Sequence, residues 1–181
     1  MKKYILIFIC AAVSFAALPK TQEIMRVCVL KDAQDLKLTV DSGYKIYSIK
    51  TGEIIKRGKS LYKVKISAIA EGILLGNTLL PEDAVKLISD KDGRIYIDKK
   101  RFRGEVVIFK TPELKLVVVN NIGIEDYLYG VLYHEISHRW PNEVIKAQAI
   151  AARTYALYQK RLMQGKPYDL TADIYSQVYG G

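Results

Sequence analysis

Ile122-Gly-Ile-Glu-Asp-Tyr-Leu128, Tyr133-His-Glu-Ile-Ser-His-Arg-Trp-Pro141 and Lys146-Ala-Gln-Ala-Ile-Ala-Ala-Arg-Thr-Tyr155 follow one another closely, and they decide how the rest of the chain is read. Val144, Ala147, Ala151, Tyr155, Tyr158 and Leu162 recur at steps of three and four, which predicts a helix, and Gln164-Gly-Lys-Pro167 supplies its stop. Pro141 suits the first turn of that helix, where a missing N–H costs nothing. Alanines at 147, 149, 151, 152 and 156 spread around its surface, so the expectation is a buried, Ala-rich helix approached by other backbone on several sides. Gln148 and Arg153 are the polar side chains within that run. A buried polar group without partners costs roughly 1–3 kcal/mol, so both must be engaged. A second helix is expected from Ile124 to about Glu135, with Glu125 and Asp126 complementing the dipole of its first turn.

Upstream the period changes from 3.6 to 2. Ile24 to Leu30, Leu36 to Val40, Tyr44 to Ser48, Leu61 to Ile66, Arg94 to Ile97, Gly104 to Phe109 and Leu114 to Val119 read as strands. Asp41-Ser-Gly43, Thr51-Gly52, Glu71-Gly72 and Asp90-Lys-Asp-Gly93 punctuate them as turns. Leu79 to Ile88 fits a strand and loop or a short helical turn, and the pattern does not choose. Strands first and helices after Asn121 predict an α+β chain: a strand-rich part over 17–110, then a helical core over 111–181. Lys99, Lys100, Arg101 and Arg103 cluster at a strand boundary. They read either as a solvated edge that discourages strand pairing or as a basic patch for an anionic partner.

Met1-Lys-Lys3 followed by the apolar run Tyr4 to Val13, with Ser14-Phe-Ala16 after it, has the layout of a secretory signal over 1–16, cleaved after Ala16. The run is short for a transmembrane helix, so an uncleaved anchor is the lesser reading. Cleavage removes Cys10 and leaves Cys28 as a lone small core residue with no disulfide partner. It also lowers the formal charge of +9 by two, through Lys2 and Lys3. An exported basic protein meets anionic wall polymers and lipid surfaces, so peripheral membrane contact is compatible with it and nucleic acid is not an expected partner.

Ile124-Glu-Asp-Tyr-Leu-Tyr-Gly-Val131, Glu135 before Trp140-Pro141, Lys146-Ala-Gln-Ala-Ile-Ala-Ala-Arg-Thr-Tyr-Ala156, Asp169 and Ser176-Gln-Val-Tyr-Gly180 together resemble the SpoIID/LytB domain, from about Val117 to the last residue. That family includes stage II sporulation protein D, a peptidoglycan lytic transglycosylase, and the LytB amidase enhancers. The resemblance implies that Glu135 is the catalytic acid and base in cleaving MurNAc–GlcNAc linkages. It implies that Gln148 and Arg153 set the glutamate's surroundings and are substrate-binding candidates, and that Tyr168, Asp169, Gln177 and Tyr179 line the groove. Peptidoglycan glycan strands are the implied substrate, and an N-acetylmuramoyl-L-alanine amidase is the implied partner. Whether the chain serves sporulation or general wall turnover is not legible. Members of the family continue past this motif whereas this chain stops at Gly181, so the expectation is a domain truncated at its C-terminus.

Glycosidic cleavage needs an acid at the leaving oxygen, and a carboxyl lodged among apolar groups holds its proton towards neutral pH, which is the environment expected for Glu135. Hydrolases add a second carboxylate. A lytic transglycosylase omits it, because the sugar's own 6-hydroxyl attacks the anomeric carbon. A LytB-like amidase enhancer without catalysis is the alternative from another class. A third reading occupies the same residues, since His134-Glu-Ile-Ser-His138 fits H-E-x-x-H, which holds zinc only on an unbroken helix. Trp140-Pro141 starts a new element almost at once, so no metal and no other cofactor is expected. Some members carry Cys or His just before Gln-Val-Tyr, but Ile174-Tyr-Ser176 offers no such ligand.

Overall fold

The computed structural model of the chain describes residues 22–90, 93–137, 139–173 and 176–181. The expected signal at 1–16, Lys91 and Asp92 of the turn, His138 and Ile174-Tyr175 lie outside the described residues. Among the described residues twelve strands precede the helices: β1 (Ile24–Ala33), β2 (Asp35–Val40), β3 (Tyr44–Ser48), β4 (Ile54–Gly58), β5 (Leu61–Ile69), β6 (Gly72–Leu75), β7 (Thr78–Leu80), β8 (Ala84–Ser89), β9 (Ile95–Ile97), β10 (Lys100–Phe102), β11 (Glu105–Lys110) and β12 (Leu116–Gly123). Helices α1 (Ile124–Glu135) and α2 (Asn142–Leu162) follow, then the short strand β13 (Leu170–Thr171). The ambiguous stretch Leu79 to Ile88 is the strand-and-loop alternative: β7 ends at Leu80 and β8 begins at Ala84.

The strands form two sheets, ordered β13-β1-β12-β11-β8-β3-β4 and β10-β9-β2-β5-β6-β7. Alternation along β1, β11 and β12 divides their side chains between two faces, as the period of two requires. Met25, Val27, Val106, Ile108, Leu116 and Val118 join the main core with residues of the other sheet, α1 and α2. Cys28, Val107 and Val119 form a small second cluster, which Tyr168 helps to cover. The expected division near residue 110 falls between β11 and β12, which pair directly from Glu105↔Asn121 to Lys110↔Leu116. β12 also pairs with β1, and β13 returns parallel to β1. The C-terminal core is therefore built onto strands from the start of the chain.

The α+β class stands, but the expectation of a buried Ala-rich helix requires correction. Of α2 only Ala152 and Ala156 are buried. Ala147 and Ala151 are exposed, Ile150 is 62 % exposed, and Tyr158 and Leu162 are 56 % and 59 % exposed. One stripe of α2 rests on the core, and the neighbouring Val144, Ala147, Ala151, Tyr158 and Leu162 stripe is open. Alanine contributes little transfer free energy, so its spread around a helix permits close packing without specifying where it occurs.

Cys28 is a buried free thiol, in line with its reading as a small core residue. Burial pushes its pKa from an ordinary 9.0 up to about 11. The unfolded chain therefore loses this proton first, and folding stability is expected to fall as pH rises from about 9 to about 11. Cys28→Ala should flatten that limb of a denaturation-versus-pH curve. A limb unchanged by the substitution would assign it to other groups.

Candidate functional site

α1 ends at Glu135, because Ile136 is already extended at φ −134° and ψ 153°. This leaves the Glu135 side chain at the open end of the helix, exposed, rather than lodged among apolar groups as the sequence suggested. α2 starts again after Pro141 and packs beside α1. Gln148, Ala151, Ala152 and Tyr155 are spaced at three and four residues and so share one side of α2. Together with Glu135, Ser176 and Gln177 they line a recess of about 300 Å³. The two alanines keep that recess open, since longer side chains there would occupy it.

Within the recess Gln148 Nε2 donates to Glu135 Oε2 at 3.1 Å, so one carboxylate oxygen is engaged by α2. Among the described lining residues Glu135 is the one carboxylate. Arg153 sits elsewhere on α2 and donates from Nε and Nη2 to Glu125 Oε1 and Oε2, at 3.0 and 2.6 Å. This fork fastens α2 to the first turn of α1, and the hydrogen bonds raise the Arg153 pKa above its already high ordinary value.

The wall carrying Gln177 is held from behind. Gln177 is 6 % exposed, and its Oε1 accepts from the hydroxyl of the fully buried Tyr127 at 2.9 Å. Burial, and after it the neighbouring Glu135 carboxylate, push the Tyr127 pKa far above its ordinary value, so the hydroxyl stays a donor. The Tyr127 and Tyr179 rings pack at 5.1 Å between centroids. Tyr179 donates to Asn120 Oδ1 at 2.7 Å, and Asn120 Nδ2 donates to the carbonyls of Arg103 and Glu105. This chain of contacts ties the C-terminal segment to β12 and α1.

The structure thus brings together Glu135, Gln148 and Gln177, while four further expected site residues stand apart. Tyr179 is 2 % exposed and lies behind the wall. The Asp169 side chain is fully buried, accepting from the Arg26 backbone N–H at 2.9 Å, from Nε at 3.0 Å and from Nη2. Tyr168 packs against the Cys28, Val107 and Val119 cluster. Arg153 is occupied by Glu125. Tyr155, Ala151 and Ser176 also line the recess, beyond the residues the sequence marks as site candidates. Ala151 and Tyr155 belong to the apolar repeat of the sequence, and their spacing of three and seven residues from Gln148 is the signal that places them beside it. The H-E-x-x-H geometry is not formed on α1, which stops at the glutamate, and His138 lies outside the described residues.

A larger recess, of about 600 Å³, is lined by Glu23, Arg26, Leu157, Lys160, Arg161, Gln164 and Gly165. Lys160 is spent on Glu23 and the Ile24 carbonyl, and Arg26 on Asp169 and the Lys166 carbonyl. Those two cations hold structural contacts, whereas the smaller recess presents the exposed carboxylate of Glu135.

Residues 113–181 match the family model SpoIID, stage II sporulation protein, a family linked in general to peptidoglycan-related enzymes. An uncharacterized protein of Brachyspira hyodysenteriae is 51 % identical over 67 residues, covering 36 % of this chain and 18 % of its own length. An uncharacterized protein of Chlamydia muridarum is 26 % identical over 139 residues, covering 76 % of this chain and 48 % of its own. The chain thus spans half or less of the length of these two relatives. No solved structure gives a significant match.

Proposed function

We propose that the chain is an exported wall-remodelling protein and that Glu135 cleaves MurNAc–GlcNAc bonds of peptidoglycan without water. The observation that carries this reading is the Glu135 carboxylate, the one carboxylate among the described lining residues of a recess between two helices of the SpoIID segment. In the proposed step the protonated Glu135 gives its proton to the glycosidic oxygen as the C1–O bond breaks and GlcNAc leaves. The 6-hydroxyl of the MurNAc unit then bonds to C1 of the oxocarbenium ion and returns its proton to Glu135. The product is a 1,6-anhydro end, and the acid is regenerated with no second carboxylate. Gln148 holds Oε2, which leaves Oε1 for the glycan. A glycan lying across the recess would displace water from the exposed carboxylate, strengthening the interactions made there. Export rests on residues 1–16, and the strand-rich part supplies the wall-facing positive charge.

A second reading, a non-catalytic enhancer of an N-acetylmuramoyl-L-alanine amidase, draws on the open stripe of α2. Exposed Val144, Tyr158 and Leu162 on one side of a helix suit a protein partner. Purified chain incubated with peptide-stripped glycan and no amidase separates the two. The expected result is 1,6-anhydro-muramyl ends detected by mass spectrometry. No release, together with faster peptide removal when an amidase is added, would replace the first reading by the second.

A further inference from the structure

The basic cluster of the strand-rich part has a geometry that its sequence did not reveal. β9 and β10 form a hairpin in the register Lys100↔Ile97, Arg101↔Tyr96 and Phe102↔Ile95. Arg94 directly precedes Ile95 and Arg103 directly follows Phe102, the last pair of that register, so two like charges flank the same end of the hairpin. Arg101 lies in β10 itself, two residues before Arg103. All three arginines are exposed, and with Gly93, Phe102 and Gly104 they line a recess of about 480 Å³. Among the described residues none of these guanidinium groups has a carboxylate partner. The nearby Asp41 carboxylate accepts instead from the Arg94 backbone N–H.

We propose that Arg94, Arg101 and Arg103 form a binding site for phosphate groups of a linear phosphodiester polymer. Each guanidinium is a planar fork of N–H donors matched to phosphate oxygens, and three of them on one recess can hold an anion in two or more orientations. β10 is the edge strand of its sheet, and charge on an edge does discourage strand pairing. That role does not account for Arg94, which precedes the inner strand β9, nor for the convergence of three arginines on one cavity. The lining also favours a soluble polyanion over a bilayer: Phe102 is 3 % exposed, and among the described lining residues no other large apolar side chain is present. This site is independent of Glu135 and of any activity there.

The test uses the full chain and a fluorescent poly(glycerol phosphate), read by anisotropy. R94Q/R101Q/R103Q is expected to weaken binding about tenfold or more and to flatten its salt dependence. A variant of equal charge, K45Q/K50Q/K59Q, should change it by less than about threefold. The triple Arg→Lys variant keeps the charge but loses the forks, and should bind between these two. Inorganic phosphate should compete better than chloride at equal ionic strength, which tests the unsubstituted protein directly. Equal losses in both glutamine variants, equal binding of polyglutamate, or binding to phosphatidylglycerol vesicles without binding to the soluble polymer would overturn the proposal.

Discussion

Glu135→Gln is expected to abolish release of 1,6-anhydro products from peptide-stripped glycan while leaving the fold intact. The substituted amide keeps the size of the side chain and an oxygen that can still accept from Gln148 Nε2. It cannot exchange a proton at working pH. General acid–base groups usually contribute about 10²–10⁴ in rate, and a mechanism with one carboxylate in both roles places the loss at the upper end. The exposed end of α1 makes a folding defect an implausible cause, since no core contact is removed there. Unchanged unfolding and unchanged glycan retention would locate the loss in the chemical step. A variant with ordinary activity would remove Glu135 from catalysis. If neither form cuts glycan yet both accelerate an amidase, the enhancer reading stands.

The strands that alternate were legible because transfer of one face from water imposes the period of two. β4, with Ile-Ile-Lys-Arg-Gly, lacks that alternation, and β6 is entered through Gly72 at φ +151°, which the sequence shows only as a turn signal. β10 was hidden because four of the five residues from Lys99 to Arg103 are charged, and pairing with β9 is set by the hairpin rather than by burial. Both helix limits were legible: Glu135 stops α1, and Gly165 at φ +79° follows the end of α2. The recess was legible in part, since Glu135, Gln148 and Gln177 do converge. The support behind it was not. Asp169 meets Arg26 across 143 residues of sequence, and Tyr179 meets Asn120 across 59. Nothing local encodes such pairings, so a motif match assigns the residue without telling whether it faces the ligand or the core.

That distinction can be measured at Asp169, which the sequence placed in the groove and the structure places against Arg26. Asp169→Ala is expected to destabilise the protein by roughly 3 kcal/mol, because it leaves three donors of a half-buried arginine residue without their acceptor. For a chain of this size that corresponds to a Tm lowered by about 6–12 °C. The Arg26 side chain is 34 % exposed, so water can reach part of it, and the loss should not approach the upper values known for fully buried ion pairs. Removing both partners, as Arg26→Met with Asp169→Leu, should recover much of the loss, since no charge is then stranded. The affected segment runs through β13 towards Ser176 and Gln177, so the recess at Glu135 should loosen before global unfolding, and cleavage should fail at a lower temperature than the loss of secondary structure. A substrate-binding carboxylate predicts the opposite pattern: an unchanged Tm, weaker glycan binding at all temperatures, and no rescue by the second substitution.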